Sequence, residues 1–378
     1  MTDAAHGPSP LFQPIAVGGR TLSNRVLVSP MCQYAAIDGV AQPWHAMHIG
    51  GFAKAGPGAV IMESTAVEAR GRISPDDLGL WNDEQEAALA RLIADVRTYA
   101  ATPLGVQLGH AGRKASTQSP WIGNHRSEAL ADDEGGWPVV GPSALAFDAT
   151  YREPTALDAA GITLIVQAFA QAAQRAVRAG FDLIELHAGH GYLMSSFISV
   201  HSNQRTDDYG GSLENRMRFP LEIVAAVRSA LPVGFPLGVR IDVDDWVNDS
   251  AAITESPIYA RALEAAGASY IAASAGAISP LMRRPSVSPG YMLHLARHIK
   301  AAVGIPVVGL GMIVSPQQAA DAVAKDEADM VAIARGFLDD PHWVLHAADE
   351  LGARVKRIGA YGAAAPRAWP GYALAHSR

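Results

Sequence analysis

The segment His187-Ala-Gly-His190-Gly-Tyr192 sets two imidazoles three residues apart and a phenol two residues further on. Two imidazoles can converge on one ligand atom, and a phenol that is protonated at neutral pH can hand over a proton. On a regular helix Tyr192 would face away from the histidines. Gly189 and Gly191 make possible the irregular loop that a shared site needs. A lone histidine is usually a satisfied core or surface residue, but two at the end of an apolar run, with glycines between them, point to a site. A metal is the competing occupant, since His110 could join His187 and His190 in a three-histidine set. His45 and His48 fall in a helical stretch and read as structural.

Gln107 and Arg240 belong to apolar runs, where polar side chains are costly to bury without a partner. They imply a large polar ligand or a paired network. A flat ring with amide-like edges, such as a flavin, would suit Gln107 as donor and acceptor and Arg240 as a charge near the ring's pyrimidine end. Gly309 and Gly311 in VVGLGMI let backbone amides approach a ligand, and Ala334-Arg335-Gly336 adds a cation after another apolar run. Together they read as a phosphate cradle. Cys32, with Tyr34 close by, has no neighbour that reads as a dedicated base, so contact with a cofactor fits it better than covalent catalysis.

These residues need a scaffold that gathers them at one end. Short apolar runs occur at 25–29, 59–64, 103–108, 181–187, 236–241, 270–274, 305–309 and 330–334. Several follow Gly or Pro, as buried parallel strands do. Between them, apolar residues at spacings of three and four predict helices over 83–101, 163–179, 212–230, 254–266, 289–302, 315–325 and 341–351. Thr254, Ser288 and Ser315 read as N-caps, and Gly180 and Gly267 as C-terminal stops. Eight strands alternating with helices is the count of an α/β (β/α)8 TIM barrel, whose active sites lie at the C-terminal ends of the strands. No Gly-x-Gly-x-x-Gly opens a helix after the first strand, which argues against a doubly wound sheet. The expected organisation is one barrel domain over 1–378. Residues 11–23 form an N-terminal β-hairpin turning at Gly18–Gly19 and closing the barrel floor. A long insertion at 109–161, after the third barrel strand, serves as lid or substrate wall, and 359–378 forms a tail.

The 378 residues carry 30 Lys+Arg against 37 Asp+Glu, a net charge of −7, with 49% hydrophobic and 18% charged residues. That composition supports a large core and excludes disorder and coiled coil. A mildly acidic chain without a basic cluster is a poor partner for nucleic acid or an anionic membrane. One cysteine cannot make an internal disulfide, a four-cysteine zinc site or an iron–sulfur cluster. The first ten residues lack the basic start and apolar stretch of a secretory signal, and no apolar run reaches membrane-spanning length, so a cytoplasmic location is expected.

Five ordered motifs, SPMCQY at 29–34, ESTAV at 63–67, VQLGHAGRK at 106–114, ELHAGHGYL at 185–193 and SNQRTDDYGGSLENR at 202–216, resemble the Old Yellow Enzyme family of ene-reductases. The cysteine and tyrosine of the first motif are similar to its thermophilic-like, xenobiotic-reductase-like branch. The resemblance implies a barrel with non-covalent FMN at its mouth and NAD(P)H as reductant. Pro30, Met31, Cys32 and Ala66 would line the flavin, Gln107 and Arg240 would bond its pyrimidine edge, and Gly311, Met312, Ala334 and Arg335 would hold the phosphate. His187 and His190 would bind the oxygen of an activated alkene, with Cys32 and Tyr34 also touching substrate. Tyr192 would protonate Cα as hydride reaches Cβ. Arg367 and Trp369 match a C-terminal segment that enters a neighbouring subunit's site, implying a homodimer or homotetramer. Asp242 stands where the family commonly has a small polar residue, and Ala334 where it has glycine. The iron–sulfur dienoyl-CoA reductases that share the barrel are excluded by the cysteine count. A metal-dependent hydrolase and a non-catalytic flavin-binding protein are the rival readings.

Overall fold

The computed structural model describes residues 9–121, 128–248 and 250–375. The chain opens with the hairpin β1 (Ile15–Val17) and β2 (Arg20–Leu22). The barrel then closes from eight parallel strands: β3 (Val26–Val28), β4 (Ala59–Ala66), β5 (Leu104–Gly109), β8 (Leu183–Ala188), β9 (Leu237–Asp244), β10 (Tyr270–Ala275), β11 (Val307–Gly309) and β12 (Met330–Ile333). Each expected run supplies one strand, so the TIM barrel is borne out. The long insertion contributes only the short pair β6 (Val140–Gly141) and β7 (Thr155–Ala156), and its residues 122–127 lie outside the described set.

The helices are α1 (Pro43–Ala53), α2 (Asp83–Arg97), α3 (Ala159–Ala179), α4 (Leu193–Ile198), α5 (Leu213–Ala230), α6 (Ala252–Ala265), α7 (Leu293–Lys300), α8 (Pro316–Ala324), α9 (Arg335–Asp339), α10 (Trp343–Glu350) and α11 (Tyr372–Ala375). Ser315 caps α8 by accepting from the Gln318 N–H, and Gly180 ends α3 in the left-handed conformation. Two expected caps fail. Helix α6 begins at Ala252, ahead of Thr254, whose hydroxyl instead donates to the Ala251 carbonyl. Ser288 closes a turn onto Tyr291 in which Gly290 has φ +76°, so α7 starts only at Leu293. Among the described residues no helix is long and apolar enough to cross a membrane.

Along most of their length the strands alternate, with register shifts at Met62/Ser64 of β4 and Ser274/Ala275 of β10. On β5, β8, β9 and β10 the residues Leu104, Val106, Ile184, Leu186, Val239, Ile241, Ile271 and Ala273 join the layer between strands and helices. The alternate positions point into the barrel. There the floor is apolar: Val17 and Leu22 of the hairpin pack with Leu27, Ala59, Ile61, Leu183, Tyr270, Ala272, Val308 and Met330. The hairpin thus plugs the bottom, as expected, and its turn is tied down by the Gly19 N–H to the Gly234 carbonyl at 2.6 Å.

Above the floor the same inward rows turn polar. Gln107 pairs in register with Glu185, His187 with Arg240, and Asp242 with Ser274. Strand alternation therefore sets the Gln107–Glu185 pair one inward step below the His187–Arg240 pair, with Asp242 and Ser274 a further step toward the C-terminal mouth.

Candidate active site

The polar layer centres on Glu185, a residue that sequence reading had passed over. Its carboxylate accepts from Gln107 Nε2 at 2.7 Å and from the Tyr270 hydroxyl at 3.1 Å. Burial pushes the Glu185 carboxyl up, while the Arg240 guanidinium, Gln107 and Tyr270 oppose that. Glu185 could have been found from its spacing: it lies two residues after inward Leu183 and two before His187 on one strand face. Among the described residues Arg240 Nε is buried with no hydrogen-bond partner, and its Nη1 only just reaches Ser29 Oγ at 3.5 Å. A buried donor without an acceptor is costly, so the guanidinium has bonding capacity left for a ligand.

Arg240 and Ser29 open onto a cleft of about 1480 Å³ whose lining continues through Gly311, Met312, Ala334 and Arg335. The expected ring-edge cation and the expected phosphate cradle thus share one cleft. Arg335 is exposed at the start of α9 and makes no ion pair among the described residues. Pro30 lines a small cavity with Glu185 and Arg240. Ala66 is buried at the end of β4, its backbone bonded to Leu78 and Leu80. Pro366, Tyr372 and Ala373 of the tail also line the cleft, and the Tyr372 hydroxyl donates to Asp349 at 2.6 Å. Arg367 and Trp369 stay exposed on that tail.

The histidine loop has the irregular backbone that a shared site requires. His187 is the penultimate residue of β8, His190 takes φ +59°, Gly191 φ +73°, and Tyr192 stands at the N-cap position of α4. A β-carbon at Gly191 would lie 2.3 Å from the Ala277 carbonyl oxygen, so only glycine lets the loop approach the turn after β10. The His187 ring crosses His190 at 5.0 Å and 80°, and Tyr192 at 4.9 Å and 87°. His187 Nδ1 accepts from the Gly189 N–H at 3.3 Å, which leaves the proton on Nε2. His190 Nε2 faces Ser274 Oγ at 2.7 Å and Arg240 Nη2 at 3.4 Å. A guanidinium only donates, so this nitrogen is the acceptor and Nδ1 carries the proton. The two rings thereby offer complementary N–H donors. Burial, with Arg240 and Lys114 beside them, holds both histidines well below their ordinary value, hence neutral.

Lys114 is the second residue that sequence reading missed. Its ammonium donates to the His190 carbonyl at 2.8 Å and the Ala277 carbonyl at 3.0 Å, and sits 5.3 Å from the Tyr192 ring centre and 4.7 Å from that of Phe147. Burial lowers it to about 8. Nothing in GRK at 112–114 signals this, because the partners come from loops that the fold alone brings near.

Cys32 and Tyr192 pack against one apolar group made of Ile73, Ala111, Ala115 and Val139. Burial, Asp77 and Glu63 push the Cys32 thiol up, so it is a neutral thiol rather than a nucleophilic thiolate. Tyr34, at φ +49°, meets Trp121 edge-on and is likewise pushed up by burial. Glu63 fastens this loop: it accepts from the Gln33 N–H at 2.7 Å and faces His45 Nε2 at 3.4 Å. That is the structural role expected of His45. His110 does not join the histidine pair. Its Nε2 meets Glu68 at 2.8 Å and its Nδ1 accepts from the Gly112 N–H, so the three-histidine set does not assemble.

The chain matches the NADH:flavin oxidoreductase / NADH oxidase family over residues 10–353. It is 39% identical to an NADH:flavin oxidoreductase of Gibberella zeae over 93% of this chain and 88% of that protein. It is 37% identical to an NADPH dehydrogenase of Geobacillus thermodenitrificans over 92% and 96% respectively. Among solved structures, morphinone reductase in complex with tetrahydroNAD superposes with a TM-score of 0.75 at 27% identity, covering 92% of each chain.

Proposed function

The chain belongs to the NADH:flavin oxidoreductase / NADH oxidase family, that of the Old Yellow Enzymes, and we propose from that premise that this FMN-dependent NAD(P)H oxidoreductase is an ene-reductase for activated alkenes. The observation that carries the reading is the crossed trio His187, His190 and Tyr192, with two complementary N–H donors and one phenol, beside the cleft that starts at Arg240.

The residues present fit FMN. Arg240, whose buried Nε has no hydrogen-bond partner among the described residues, lines one cleft together with Gly311, Met312, Ala334 and Arg335. Arg240 and Gln107 would hold the pyrimidine edge, the four residues after β11 and β12 the phosphate, and Pro30, Met31, Cys32 and Ala66 the ring. Held there, FMN would supply the hydride chemistry between NAD(P)H and the alkene's Cβ.

His187 and His190 bind the carbonyl or nitro oxygen and stabilise the negative charge that grows there as Cβ is reduced. Such preorganised donors are each worth about 3 kcal/mol. Tyr192 gives its proton to Cα. Burial keeps its phenol well above the ordinary tyrosine value, and Lys114 beside the ring offsets part of the cost of forming the anion. Cys32 and Tyr34 shape the substrate side of the loop after β3. NAD(P)H and alkene use the site in turn, a ping-pong cycle. Enones, maleimides and nitroalkenes all present an oxygen conjugated to the double bond, and nitro compounds and nitrate esters present the same kind of oxygen.

The test is a panel of these compounds, with NADH and with NADPH, following reoxidation of the reduced holoenzyme by stopped flow. Saturated product from 2-cyclohexenone supports the reading. A yellow protein that consumes NAD(P)H yet reduces nothing in the panel overturns it. We read the exposed Arg367 and Trp369 as reaching a neighbouring subunit in a homodimer or homotetramer. A monomer by sedimentation, or unchanged KM in Arg367→Ala, overturns that part.

A further inference from the structure

We propose that Asp242 is a positioning residue that holds His190 in its left-handed conformation and, through Ser274, keeps the His190 proton on Nδ1, the nitrogen available to substrate. The proposal rests on the ene-reductase reading for its consequence but not for its geometry.

Asp242 Oδ2 accepts the His190 backbone N–H at 2.6 Å. His190 is a non-glycine residue at φ +59°, a conformation that needs a compensating contact, and this bond is that contact. The same carboxyl reaches toward the ring. Ser274 Oγ lies 2.7 Å from His190 Nε2 and 3.5 Å from Asp242 Oδ1, at the outer edge of hydrogen-bond reach. With Nε2 unprotonated beside the Arg240 guanidinium, the Ser274 hydroxyl donates to it, and the serine oxygen is left to accept. An ionised Asp242 has nothing to donate and would instead draw the serine proton to itself. A neutral Asp242 acid donates to Ser274, and the chain runs Asp242 to Ser274 to His190 Nε2 with every proton placed.

The surroundings favour that neutral acid. Burial and Asp245 push the Asp242 carboxyl up, while the His190 N–H, Arg240 and Lys114 oppose them. His190 itself faces Arg240, His187, Lys114 and, further out, Arg284, all of which disfavour a charged imidazole. Asp242 also lines a cavity of about 30 Å³ with Asp245, Ser250 and Tyr259, whose hydroxyl is buried without a partner among the described residues. A carboxylic acid kept neutral by its site so that it can donate is an established catalytic arrangement. No covalent step is invoked; the acid only orders its neighbours.

Two substitutions separate the possibilities. Asp242→Asn keeps an acceptor for the His190 N–H and an N–H donor for Ser274, so it mimics the neutral acid. Asp242→Ala keeps neither. The readouts are the imidazole ¹⁵N shifts of His190 in the histidine-labelled holoenzyme, which report the tautomer directly, and binding of 4-hydroxybenzaldehyde, a phenol whose oxygen would accept from the two imidazole N–H groups. The expected result is a wild-type Nδ1–H signature and near-wild-type phenol affinity in Asp242→Asn. In Asp242→Ala a tautomer mixture and about tenfold weaker phenol binding are expected. Unchanged ¹⁵N shifts in Asp242→Ala overturn the positioning role, and an Asp242→Asn protein as impaired as the alanine variant overturns the neutral-acid form. If wild type reduces no enone, the functional reading fails while the tautomer result still stands or falls by itself.

Discussion

Gly238 stands directly opposite Tyr270 across the β9–β10 pair, and the β-carbon it lacks would lie 2.0 Å from the Tyr270 ring. The bare backbone is what lets the phenol lie inside the barrel and donate to Glu185. Glu185 in turn orients Gln107 and faces Arg240, so a glycine on the barrel floor governs the polar layer above it.

Gly238→Ala therefore forces the Tyr270 ring aside in a filled interior, an overpacking cost of about 1–3 kcal/mol. The cost should vanish when Tyr270 is truncated. Thermal unfolding of Gly238→Ala, Tyr270→Ala and the double variant measures the coupling. Equal losses from Gly238→Ala in both backgrounds would show that the two residues do not constrain each other.

His187→Ala removes the Nε2–H donor while leaving the Arg240 cleft intact. Enone reduction should fall about 100-fold, the usual loss for one such donor. The long-wavelength charge-transfer band given by a bound phenol should fade with it. Flavin content should stay near one per chain. A full-strength band in this variant removes His187 from the oxygen site.

Much of this arrangement was readable in the residues, for physical reasons. Each barrel strand is an apolar run between turn residues, and the polar residues that break those runs, Gln107, Arg240 and His187, are the ones that line the interior. The glycine spacing of the HAGHGYL segment anticipated the left-handed loop. What could not be read depended on contacts distant in sequence. Lys114 gains its role from the Ala277 and His190 carbonyls, and Asp242 from Ser274 and the histidine loop. Glu185 was legible by strand periodicity, but a carboxylate in a barrel reads as unfavourable until Gln107 and Tyr270 are seen to satisfy it. The failed cap at Ser288 has a local cause, since a following glycine turned left-handed delays the helix.

Lys114 makes activity and stability respond to pH in opposite directions. Its ammonium titrates at about 8 in the folded protein, chiefly through burial, against an ordinary value of about 10.4. Above pH 8 the cation beside Tyr192 is lost and enone reduction should decline. Between pH 8 and 10.4 the unfolded chain still holds the proton that the folded chain has released, so this residue's contribution to stability rises with pH. Lys114→Met should flatten both trends. A wild-type rate profile that is level from pH 7 to 9.5 would show that the charge has no part in proton transfer.

Tyr192→Phe separates the two halves of the cycle. The hydroxyl is the only group changed, and the ring keeps its packing beside His187 and under Lys114. Reduction of the flavin by NAD(P)H needs no proton from a side chain, so its rate should be nearly unaltered. Protonation at Cα does need one, and loss of a positioned acid commonly costs about 10²–10⁴-fold. Reoxidation of the reduced variant by 2-cyclohexenone should slow by that order. Nitroalkenes, whose reduced anion is far more stable, should be spared in the hydride step and release product through slow protonation by solvent. Stopped-flow traces for both half-reactions, with each acceptor, decide the matter. If the variant loses its flavin, or slows equally in both halves, the phenol is holding the site together and the proton must come from another group.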